Sequence, residues 1–134
     1  MKRIMTALAL LFFTTSTAHA AGPFDGIYAF NFNGILTGYA SIHENNGVII
    51  AVVLEPSPSD STWEAVRGTR NGNIVRLSSI FGTVDLVIDI TFNGDNSTGT
   101  VVLISCTDND NDPSNDSDNC DIPAGTTLGL TKIF

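Results

Sequence analysis

His43 and Glu44 are adjacent, and an imidazole beside a carboxylate invites acid–base chemistry near neutral pH. The local pattern works against it. Both residues fall in a stretch of alternating polarity, where neighbours on a strand point to opposite faces. Asp85 and Asp89 share a face of another such stretch, but four strand residues separate them by roughly 13 Å, too far for a cooperating carboxylate pair. They mark a solvated outer face. Trp63, with Glu64 beside it, stands at a strand start, where an indole can stack on a ligand or fill a rim. No nucleophile–base pair and no phosphate-binding loop is present, and the Gly-rich segments read as turns. No catalytic residue is assigned, and an enzyme has little support.

The two remaining reactive side chains are Cys106 and Cys120. In an exported chain they are expected to pair, closing a loop that contributes roughly 3 kcal/mol on the chain-entropy account. Two free thiols or ligands to a soft metal are the alternatives, although a zinc site would want more His and Cys. Export itself is read from residues 1–20. Lys2 and Arg3 precede the apolar run Ile4 to Phe13, and Ala18-His19-Ala20 fits the small-x-small rule, so a signal peptide ending at Ala20 is expected. The run is about half the ~20 residues of a spanning helix. The mature chain, 21–134, is then a single periplasmic or extracellular domain. It keeps four basic residues, Arg67, Arg70, Arg76 and Lys132, against fourteen acidic ones, an excess of ten negative charges. Such a surface repels nucleic acid and anionic lipid.

The elements that must position these residues are strands. Asn33-Gly34, Asn46-Gly47, Asn71-Gly72 and Asn93-Gly94 each lie between β-branched and aromatic runs. A two-residue type I′ turn needs positive φ at both central residues, which Gly takes freely and Asn tolerates. Eight strands are predicted: Gly26 to Phe32, Leu36 to His43, Val48 to Glu55, Trp63 to Arg70, Ile74 to Phe81, Val84 to Phe92, Thr100 to Cys106 and Thr127 to Phe134. Val48 to Glu55 is apolar on both faces, so its outer face is expected to be covered or the strand central. No stretch shows a useful helical period.

Strands joined by tight turns are antiparallel neighbours, and an eight-stranded meander removes its edges by closing. The expected fold is all-β, an up-and-down barrel with a disulfide-closed acidic loop, and an open sheet or sandwich is the alternative. Turns alternate between its ends. Three Asn-Gly pairs close a plain end. The long connections Glu55 to Thr62 and Thr107 to Thr126 share the other, across the mouth from one another.

In this layout the chain resembles the calycin barrels, the group of lipocalins, fatty-acid-binding proteins and avidins. Gly26-Ile27-Tyr28 echoes the Gly-x-Trp of that group's first strand, and Lys132 stands where such barrels place a basic residue over the aromatic. The resemblance implies a small apolar ligand inside the barrel, with Tyr28, Phe30, Phe32 and Trp63 as the candidate contacts. Locally, Asp108-x-Asp110-x-Asp112 with Asp116, Asp118 and Cys120 is similar to the calcium-binding aspartate repeats of thrombospondin type 3 modules and OmpA-like linkers. Pro113 replaces the Gly of that repeat's turn. The resemblance implies calcium on Asp108, Asp110, Asp112, Asp116 and Asp118, since Ca²⁺ takes six to eight oxygens. A soluble, self-repelling loop is the alternative.

Two other classes follow. A calcium-dependent envelope or adhesive protein would use the acidic loop. A small outer-membrane barrel would use Thr127-x-Gly129-x-x-Lys132-x-Phe134, which partly resembles the terminal signal of those proteins; Lys132 breaks it, and no aromatic girdle is visible. Membrane insertion is therefore not expected.

Overall fold

The computed structural model describes residues 22–55, 62–82, 84–108, 120 and 122–134. Eight strands follow one another: β1 (Gly26–Phe32), β2 (Ile35–Asn45), β3 (Val48–Glu55), β4 (Thr62–Asn71), β5 (Ile74–Phe81), β6 (Val84–Phe92), β7 (Thr98–Asp108) and β8 (Thr127–Lys132). Each pairs antiparallel with the next, and β8 returns to β1 through Tyr28↔Lys132 and Phe30↔Leu130, so the sheet is a closed barrel. Closure leaves no strand edge for another chain to extend. The predicted strands are all present. β8 stops at Lys132 rather than Phe134, although Ile133 and Phe134 still donate their N–H groups to the Ile27 carbonyl.

Two of the Asn-Gly pairs form the expected turns, with φ of 51° and 80° at Asn33 and Gly34 and 52° and 79° at Asn46 and Gly47. The other two are corrected. Asn71 pairs with Ile74 as a strand residue, so the turn centre is Gly72-Asn73, with Gly72 at φ 65°. The Asn73 amide ties this turn to β6 by donating to the Phe92 carbonyl at 2.8 Å. At the fourth site Asn93 pairs with Thr98 around a longer loop, and the left-handed residue is Asn96, φ 56°. Asp95 accepts from the Ser97 N–H and hydroxyl there, a local turn of the kind short Asp side chains make.

Strands β2, β4 and β6 end at one end of the barrel, together with the described residues Gly22 and Phe134, and β1, β3, β5 and β7 end at the other, the mouth. Tyr28, Ile42, Ile49, Val66, Val75, Leu77, Ile90, Phe92, Val101 and Leu130 are essentially inaccessible and fill the interior. Bulges interrupt three pairs, between Phe30 and Asn31, Ala65 and Val66, and Val87 and Ile88, each toward the mouth. Bulges concentrate at barrel rims because an unpaired residue bends the strand and increases its twist.

Candidate functional site: a barrel mouth above an aromatic floor

The floor is built by four residues that precede β1. Asp25 turns the chain back by bonding to the Gly22 N–H and caps the Glu44 N–H. Phe24 is thereby driven under the barrel, where its ring stacks on Phe92 at 4.3 Å and 16° between planes. Arg70 lies 5.7 Å over the same ring and bonds to the Glu44 carboxylate, which is almost wholly buried. The Tyr28 hydroxyl donates toward the carbonyls of Phe24 at 2.9 Å and Asn96 at 3.2 Å. Burial, and then the nearby Asp25 charge, push the Tyr28 phenol up to about 12. The end read as plain from its turns is thus closed by an aromatic plug. The signal was present in Phe24, four residues ahead of Tyr28, but only closure of the sheet shows what it covers.

Lys132 sits in register with Tyr28, its ammonium 5.8 Å from the ring centre and donating to the Asp25 carbonyl. A Cβ at Gly26 would lie 2.4 Å from both the Lys132 Cε and the Phe134 carbonyl oxygen. The two residues that carry the calycin resemblance are therefore in contact, and the glycine ahead of them has a steric reason.

Burial declines toward the mouth. Inward hydrophobic side chains of the lower strands are at most 2 % exposed, whereas Ile88, Leu103 and Val53 reach 5, 7 and 8 %. Above them Leu86, Cys106 and Leu128 pack against the core while only partly buried. Phe32, two strand positions beyond Phe30 on the same face, is 41 % exposed. Glu64 is in register with Val53 and lies against Gly82. The rim is held by two ties. Cys106 and Cys120 form a disulfide with Cα atoms 5.5 Å apart, and Gly125 and Thr126 bond to the Leu103 backbone at 2.7 and 3.0 Å.

The candidate ligand contacts separate on this geometry. Tyr28 and Phe30 are part of the packed interior and Phe32 stands at the mouth. Trp63 is on the outer wall, stacked on Phe81 at 4.8 Å and half exposed. His43 faces outward in register with Ile50, and Asp89 faces outward on β6, held below the usual carboxylate range by two hydrogen bonds from Arg76 at 2.7 and 2.6 Å. Asp108 closes β7 by its backbone. Asp110, Asp112, Asp116 and Asp118 lie outside the described residues, as do residues 1–20, expected to be a signal peptide, and residues 56–61. Compared with protein-family models, with curated proteins and with solved structures, the chain matches none.

Proposed function

We propose that the protein is an exported carrier of calycin type, taking a small apolar molecule through the mouth of its barrel. The observation that supports this reading is the one-way gradient of burial. An aromatic plug and a packed lower half shut one end, while apolar side chains of the upper half, from Leu86 and Leu128 to Phe32, stay partly open to solvent. Half-wet apolar walls above a rigid floor favour an apolar guest, because the guest removes surface from water without reorganising the scaffold. Polar direction could come from Glu64, whose inward register places it among these walls.

Binding of a fluorescent polyene fatty acid, followed by its emission, tests the reading. Saturable one-to-one uptake is expected, with Phe32→Asp weakening it at least tenfold. Absence of saturable binding by natural fatty acids, sterols and polyenes alike removes the carrier reading. The outward faces speak against lipid embedding. The Arg76–Asp89 pair lies midway along β5 and β6 on the outside, and charges at that depth are costly on the lipid face of a transmembrane barrel.

A further inference from the structure

The outer wall of the barrel is uneven. On β3, β4 and β5 the outward residues Ile50, Val52, Leu54, Trp63, Ile80 and Phe81 are between 41 and 61 % exposed. They adjoin one another, since Leu54 faces Trp63 across the β3–β4 ladder, Ala65 joins Val52 to Phe81, and the Trp63 and Phe81 rings stack. Together these side chains offer on the order of 600 Å² of apolar surface, the upper end of what a monomer's largest patch presents and close to the ~800 Å² each partner gives a standard interface.

Charge selects the occupant. No acidic residue takes an outward register position on these three strands, and Arg67, in register with Ile50, forms no ion pair among the described residues. The mature chain nevertheless carries ten excess negative charges, so most of its surface repels a second copy. Contact through β6 would bring the Asp85 of each copy together; contact through β3–β5 meets apolar side chains, with Arg67 and the Asp89-paired Arg76 the only outward charges on those strands among the described residues. A lipid surface fits less well, because a lipid-facing barrel needs an apolar band all the way round and β6 interrupts it.

We propose that this wall is the contact face of a homodimer, in which β3–β5 of one copy pack on β3–β5 of a second about a two-fold axis. A two-fold contact needs only one self-complementary patch, and two β-faces pack about 10 Å apart with their side chains interdigitated. The apolar outward face of β3, left bare in the single chain, is then covered.

Sedimentation equilibrium of the purified protein, its N-terminus established by mass spectrometry, tests this from micromolar to millimolar concentration. The dimer mass is expected, with dissociation on dilution and a shift of Trp63 emission to shorter wavelength as the indole is covered. Val52→Lys should weaken association at least tenfold. Thr100→Lys, on the polar β7 face, should leave it within twofold. If Val52→Lys does not fold by circular dichroism, the wild-type dilution series and the Trp63 shift decide alone. A monomer mass at every concentration overturns the proposal, as does a dimer that Thr100→Lys breaks and a folded Val52→Lys leaves intact. A monomer that co-sediments with phosphatidylcholine vesicles assigns the wall to lipid instead.

Discussion

The Tyr28 hydroxyl, held between the Phe24 and Asn96 carbonyls, couples three separate segments of chain through one atom. Its phenol is raised to about 12 from an ordinary 10.0, so between those values the unfolded chain loses its proton before the folded one. Stability contributed by the group is complete below about pH 10 and falls as pH rises toward 12, by on the order of 3 kcal/mol. Urea midpoints measured across that range should drop for the wild type. Tyr28→Phe should remove this part of the alkaline slope and cost about 1 kcal/mol near neutrality for the lost hydrogen bond. Glu44 and Arg70 pose the opposite problem. The carboxylate is buried with one oxygen on Arg70 and the other, Oε2, without a hydrogen-bond partner among the described residues. Arg70→Ala leaves that charge stranded and should destabilise by about 3 kcal/mol at neutral pH, with much of the loss recovered in the Glu44→Gln/Arg70→Ala double variant. Neither role was legible in the sequence. Glu44 drew attention as a neighbour of His43, yet what governs it is Arg70, 26 residues away.

At the scale of elements, turn signals together with alternation were enough to locate every strand, because turns bound the runs and burial on one face imposes a period of two. Turn centres were less legible. Asn-Gly is a local preference, and at Asn71-Gly72 and Asn93-Gly94 hydrogen bonds from Asn73 and within Asp95–Ser97 outweighed it. Close approach of strands is another property that composition conceals. A Cβ at Gly68 would lie 1.7 Å from the Arg76 carbonyl oxygen, a backbone atom of the paired strand that cannot move aside without opening the ladder. Gly68→Ala is therefore expected to abolish accumulation of folded protein or depress its melting temperature by ten degrees or more, in the range of severe core substitutions for a domain this size. Gly94→Ala, where nothing lies within 4 Å of the added methyl, should melt within a few degrees of wild type. Thermal denaturation followed by circular dichroism separates the two.

Over the whole molecule, closure of the sheet joins β8 to β1, and the Cys106–Cys120 bond ties the rim at the mouth. The disulfide links residues 14 apart and ties Cys120 to β7. Reduction should lower stability by roughly 3 kcal/mol, read as a shift in urea midpoint with and without reductant, while the far-UV spectrum keeps its β-sheet form because all eight ladders remain. Strand periodicity, turn residues and two cysteines determined the class of fold, the disulfide and the separation of long from short connections, because each depends on local patterning or on having a single possible partner. What only the tertiary structure decided is which end is shut and which face is bare. Phe24 becomes a plug once β8 meets β1, whereas Trp63 becomes an outer-wall residue by stacking on Phe81 across the β4–β5 pair and β3 keeps its apolar outer face exposed, outcomes set by how residues distant in sequence come to lie together.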